Sequence, residues 1–226
     1  NLVISDDDWK TEREVVIEER NQRTDSDPAA IFPEQLNAAQ YLNAPYGTPV
    51  IGWRHEMESL TREDALAWYR RYYAPNGATL VIAGDVTPKK AKALAEEYYG
   101  PLEPSAGLAL RQRATEPQQL AGRTLVFNDS RVSQPTLTRS YLAPERDSGD
   151  QRSAAALTIL AEVLGGNGQT SVLGQAMQFG SKTAISTFAS YDGTSLDKAT
   201  FNLGVVPAEG GTLKAAETQM DSGLAA

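Results

Sequence analysis

Two kinds of hydrophobic spacing alternate along this chain, one with the period of a helix and one with the run or alternation of a strand. Residues 9–23 read as a helix, with Ser5-Asp6-Asp7-Asp8 as its cap and acidic first turn. Thr24-Asp25-Ser26-Asp27-Pro28 ends it, a short helix near 34–42 follows, and then comes a turn-rich loop, NAPYGTPVIGW. Thr61-Arg62-Glu63-Asp64 resembles a capping box and opens a helix carrying Leu66, Trp68, Tyr69 and Tyr72. ATLVIA, residues 78–83, is a buried-strand pattern closed by Gly84-Asp85; Thr87 and Pro88 then start a helix that runs to Tyr99 and stops at Gly100.

Residues 102–122 hold three prolines and no period, which places a domain boundary there. Beyond it the pattern predicts strands near 124–128 and 136–142, helices near 151–164 and 171–179 joined by a Gly-rich turn, strands over 184–191 and 199–206, and a last helix. The expected class is therefore α+β, in two successive two-layer domains. Each is a mostly antiparallel or mixed sheet covered by helices on one face, with residues 1–103 in the first domain and 104–226 in the second.

Within the first helix the carboxylates sort by angle. With Glu12 at zero and 100° per residue, Val16 falls near ~40°, Glu19 near ~−20° and Val15 near ~−60°, whereas Glu14 and Glu18 fall near ~200° and ~240°. Glu12 and Glu19 thus share the apolar stripe of Trp9, Val15 and Val16. A buried carboxylate without a partner costs several kcal/mol, so such a pair is expected to face a cation or a metal. Two turns of helix separate them by about 10 Å along one face, which allows one to ligate a metal while the other supports the site. The bland alternative is a surface helix with glutamates seven apart.

Bulk properties narrow the function. The formal charge of −8 and pI near 4.8 argue against nucleic acid as a partner. No apolar run approaches the roughly 20 residues of a membrane span. The chain has no cysteine and a single histidine, which removes thiolate zinc sites, disulfides and Ser/His/Asp or Cys/His sets. That histidine, His55, has no histidine partner at helical spacing and reads as a surface or pre-helix residue. LGGNGQTS, residues 164–171, lacks the lysine of a phosphate loop and follows a helix, so it reads as a helix–turn–helix connection. AGDV at 83–86 reads as a strand end and turn, and the cluster Trp68, Tyr69, Tyr72, Tyr73 reads as core.

Several segments, in order, resemble the insulinase/pitrilysin-type family of inverted zinc metallopeptidases, which includes the mitochondrial processing peptidases. They are ER-x-VV-x-x-E (Glu12 to Glu19), Asp25-Ser26-Asp27-Pro28, YLNAPYGTPVIGW, SLTREDALAWYRRYYAPNGATLVIAGDV, YYGPL and LAEVLGGNGQTSVLGQAM. The resemblance implies that Glu19 matches the family's third zinc ligand and Glu12 the glutamate that supports the site, with H-x-x-E-H supplying two histidines and a general base. These 226 residues contain no H-x-x-E-H, so it is expected upstream of residue 1 in a longer parent, and this chain alone is expected to bind no Zn2+ tightly and to be inactive. Ala44 and Val172 stand where many relatives carry His and Arg. The implied function is that of a metalloendopeptidase cleaving peptides in a chamber between two halves, as a homo- or heterodimer with a similar subunit. The alternative is a non-catalytic subunit that binds or scaffolds a partner. The pattern resembles exported bacterial members, which points to the periplasm, with the cytoplasm as the alternative.

Overall fold

In the computed structural model the described residues are 2–108 and 111–225. Ala109 and Leu110, inside the expected linker, lie outside them. The chain divides into two compact units, residues 1–34 with 48–113, and residues 35–47 with 114–226.

The first unit is helical. Helix α1 spans Asp6–Arg20, with the Ser5 hydroxyl accepting from the Asp8 N–H and the Asp8 carboxylate accepting in return, a reciprocal cap. It continues into a π-helical turn at Asn21–Asp25. Helix α2 spans Pro28–Gln40, well beyond the short helix expected near 34–42. Pro28 is its first residue, where a missing N–H costs nothing, and the Asp27 carboxylate accepts from the Ala29 N–H. Helices α3 (Arg54–Ser59), α4 (Arg62–Tyr72) and α5 (Pro88–Tyr98) follow, α4 with a second reciprocal cap between Thr61 and Asp64.

The second unit holds the sheet: β1 (Leu137–Ala143), β2 (Ala184–Tyr191) and β3 (Ala199–Pro207), antiparallel in the order β1-β3-β2. The central strand β3 alternates, burying Ala199, Phe201, Leu203, Val205 and Pro207. Helix α6 (Arg152–Ala161), a π-helical turn at Gly174–Gly180 and helix α7 (Leu213–Ala225) carry the facing residues. Leu173, Met177, Met220 and Val205 are fully buried in that core, with Phe201, Leu203 and Ala216 around them. Two close approaches depend on glycine. A side chain at Gly165 would run into the backbone of β2 at Phe188 and Ala189, and one at Gly204 into the Phe188 ring that lies across it.

The α+β class holds, and the expectation of two sheets is corrected: among the described residues there is one, in the second unit. The segments 78–83 and 124–128 are not strands. Val81 is 82% exposed, with Leu80 and Ile82 near half. A strand exists only through its ladder, and no neighbouring strand is assigned among the described residues of the first unit, so an apolar run alone does not make one.

Candidate functional site

The residues singled out on α1 sit on its accessible side. Glu12 is exposed, and Glu19 is partly exposed and pairs with Arg23 one turn on, at 3.0 Å. Val15 and Val16, expected to mark the inward stripe, are exposed as well. The residues that α1 turns inward within its unit are Trp9, Arg13, Ile17 and Arg20. On the same wheel these fall between ~60° and ~140°, about a quarter-turn from the stripe that contains Glu12 and Glu19. An open groove along the other side of the helix is lined by Lys10, Thr11, Glu14, Val15, Glu18 and Glu19.

What fixes the end of this helix is a charge cluster that the sequence reading did not single out. The Arg20 guanidinium is buried and donates to both oxygens of Glu34 at 2.9 Å and to the Gly52 carbonyl at 2.7 Å, and its Nε lies 3.1 Å from the Asp25 carboxylate. The hydrogen bonds it donates to Glu34 hold the Arg20 cation even more firmly charged than usual, against the opposing effect of burial. Arg54 reaches the other side of the same turn, donating to Asp25 at 2.7 Å, to the Asn21 side chain and to Glu58 at 2.9 Å. Asp25 therefore lies between two guanidinium groups, which draws the π-helical turn after Glu19 against α2 and α3. Insertion of an extra residue into a helical turn changes the direction in which the side chains next to it project, and such turns recur at functional sites. The signal that could have revealed the cluster is the matching of Arg20 with Ile17 and Arg13 on one arc of the wheel. A long charged side chain on a buried arc needs several acceptors, and Asp25, Asp27 and Glu34 are the next acids along the chain, of which Asp25 and Glu34 meet it.

The loop after α2 belongs to the second unit. Tyr41 donates to the Lys198 carbonyl at 3.3 Å, and the Leu196 N–H donates to the Tyr46 hydroxyl at 3.0 Å, so the loop lies along the β2–β3 connection. The two rings meet edge to face at 5.6 Å. Burial, with Tyr46, Glu116 and Asp192 nearby, pushes the Tyr41 phenol up to about 12. Ala44, between the two rings in sequence, is buried.

A metal requires more than α1 offers. Among the described residues no group of three or more His, Cys, Asp and Glu side chains converges to hold one. A zinc site draws three or four protein ligands. The described residues bring together fewer than that. His55, the second residue of α3, is exposed. LGGNGQTS is the connection the sequence predicts, from the π-helical turn Glu162–Gly166 through Asn167, whose side chain accepts from the Gln169 N–H at 2.9 Å, to the buried Ser171. Trp68 and Tyr73, read as core, are instead largely exposed.

A family model described as "Peptidase M16 inactive domain" matches residues 59–224. The zinc protease PqqE of Helicobacter pylori is 28% identical over 166 residues, covering 73% of this chain and 37% of that protein. An uncharacterized zinc protease of Mycobacterium tuberculosis is 30% identical over 193 residues, 82% of this chain and 41% of that protein. The crystal structure of a protease from Helicobacter pylori superposes with a TM-score of 0.74 at 24% identity, over 98% of this chain and 52% of that one. The chain spans well under half the length of these curated relatives and about half of the solved chain.

Proposed function

We propose, from the premise that this chain belongs to the M16 peptidase family of insulinase/pitrilysin type, that it is part of a zinc-dependent metalloendopeptidase. In this reading Glu19 is one zinc ligand and Glu12 supports the site, while the remaining ligands and the general base come from residues outside these 226. Residues 1–103 are then the later part of the catalytic domain and residues 104–226 a second domain of similar kind. The substrate class is a peptide held in a chamber between two halves, the assembly is a homo- or heterodimer with a similar subunit, and the compartment is the periplasm.

The observation that carries this reading is the split in α1. One arc, through Arg20, is locked into the body of its unit by Glu34, Asp25 and the Gly52 carbonyl. The arc with Glu12 and Glu19 is left accessible, and Glu19 is held by a solvent-facing pair with Arg23 that an incoming ligand can displace at little cost. A rigid helix presenting an accessible carboxylate is what a metal site assembled from several segments requires.

A second reading has its own support. The segment that matches the family model is described as the inactive domain, and it begins at residue 59, after both glutamates. A non-catalytic subunit that binds or scaffolds a partner fits that description.

Metal analysis of the full-length parent protein separates the two. Under the first reading the parent carries zinc and cleaves peptide, and Glu19→Gln lowers its retained zinc by at least about tenfold. Zinc retention unchanged by Glu19→Gln overturns the assignment of Glu19. A parent that holds no zinc and cleaves no peptide establishes the scaffold reading.

A further inference from the structure

The segment 115–123 reads in sequence as linker, yet it is bonded along its length to the end of α2. The carboxylate of Glu116 accepts from three successive backbone N–H groups: Leu42 at 2.8 Å, Asn43 at 3.0 Å and Ala44 at 2.8 Å. Around this point the Asn43 side chain donates to the Thr115 carbonyl at 3.1 Å, and the Gln119 amide donates to Glu116 at 3.1 Å. Gln119 and Arg123 also donate to the carbonyl of Gln40, the last residue of α2, and Arg123 donates to the Gln119 side chain at 3.0 Å. The carbonyls at a helix C-terminus lack partners within the helix, and here side chains from more than seventy positions away supply them.

Three consecutive N–H groups converging on one anion form a concave donor surface that favours negative charge whichever molecule brings it. It suits a carboxylate, with two oxygens and about four lone-pair sites. We propose that residues 42–44 are a carboxylate-binding nest, filled in cis by Glu116, and that residues 115–123 are a strap which this occupancy holds in place. The loop so fixed leads directly into Pro45 and Tyr46, whose hydroxyl accepts from the Leu196 N–H. Occupancy of the nest therefore sets the position of the segment that lies along the β2–β3 connection. The inference is independent of the metallopeptidase reading, because every group in it belongs to this chain and no metal enters.

The test vacates the nest and offers it a small carboxylate. In a Glu116→Ala variant of this chain, the amides of Leu42, Asn43 and Ala44 exchange with solvent at least about tenfold faster than in the unaltered protein, and protease cuts appear within 115–123. Sodium acetate at tens of millimolar shifts those three amide resonances in the variant and slows their exchange. Sodium chloride at equal ionic strength does neither, and the unaltered protein, its nest already filled, does not respond to acetate. Equal acetate responses in the two proteins, or none in a variant whose Leu196 amide remains protected, overturn the proposal. If the loop is lost altogether in Glu116→Ala, the measurement passes to Glu116→Gln, which keeps one acceptor oxygen and removes the charge. Exchange between the two extremes supports an anion site, and exchange as slow as in the unaltered protein refutes it.

Discussion

The two units of this chain are held by different forces. The unit of residues 35–47 and 114–226 buries a continuous apolar core under a three-stranded sheet, with Leu173, Met177, Val205 and Met220 out of solvent. The unit of residues 1–34 and 48–113 has no strand among its described residues, and its buried side chains include Ile17, Met57 and an arginine. Its apolar segment at 78–83 stays in contact with water, and its fixed point is the cluster of Arg20, Asp25, Glu34 and Arg54. Apolar burial is non-directional and scales with area, so it stabilises the fold and tolerates small movements. A desolvated ion cluster adds little net stability but fixes geometry, because each lost partner leaves a buried charge behind. The first unit therefore trades stability for a defined orientation of α1.

The strongest way to break this contrast is to remove a core side chain. Leu173→Ala leaves a cavity beside Met177 and α7, where Gly223 leaves no side chain to fill it, and should cost about 3–5 kcal/mol of unfolding free energy. Urea denaturation followed by exchange of the Leu203 and Val205 amides measures it. A cost under about 1 kcal/mol would mean that the sheet unit is as loosely packed as its companion.

Removing the cluster should act elsewhere. Arg20→Met leaves the Glu34 carboxylate without its bidentate partner and should cost about 2–3 kcal/mol, somewhat below a fully buried pair because Asp25 and Glu34 keep some access to water. All three tryptophans, Trp9, Trp53 and Trp68, lie in this unit, so fluorescence reports it selectively. The expected outcome is a lower fluorescence midpoint with little change in protection of β3 amides. Equal shifts in both would show that the units unfold together and that the contrast has no thermodynamic content.

The same difference governs what the residue pattern discloses. Strands β2 and β3 and helices α4 and α5 are legible because their spacing, caps and stops are local properties of the sequence. The run at 78–83 misleads because strand formation depends on a partner that local pattern does not contain. On α1, Trp9, Val15 and Val16 define one apolar arc, and Ile17 with Arg20 another, and periodicity does not rank them. Arg20 decides the outcome through acceptors on α2 and the loop at Gly52, contacts beyond any helical window. Glu116 was hidden for a related reason: its partners are backbone N–H groups, which every residue except proline carries.

Acid sharpens the comparison further. Burial pushes the Glu116 carboxyl up, but the backbone N–H groups of Leu42, Ala44 and Asn43 together outweigh it and bring the group down to about 2. Its folded value lies below its unfolded one, so its contribution is present above the unfolded value of 4.5 and is lost as pH falls from there through about 2. Glu116→Gln should remove about 1–2 kcal/mol from stability at neutral pH and flatten the stability curve across that acid window. Thermal unfolding of the two proteins as a function of pH checks this. Parallel curves would show that the strap carries no charge-dependent stability.

The smallest expected effect is the most informative about function. Glu19 and Arg23 are 42% and 74% accessible at their side chains, so their pair is screened by solvent and offset by the entropy of holding two long side chains together. Glu19→Gln keeps the size and most of the hydrogen-bonding capacity of the side chain and should change the stability of this chain by less than ~0.5 kcal/mol. A residue retained for packing shows its worth in folding, whereas one that serves as a ligand shows it only when its counterpart is present. Denaturation of the isolated chain and zinc retention by the parent thus form a matched pair of measurements on one substitution. A large loss of stability from Glu19→Gln in the isolated chain would place Glu19 with Arg20 among the groups that hold α1 in position, and the division of the helix into a fixed arc and an offered one would fail.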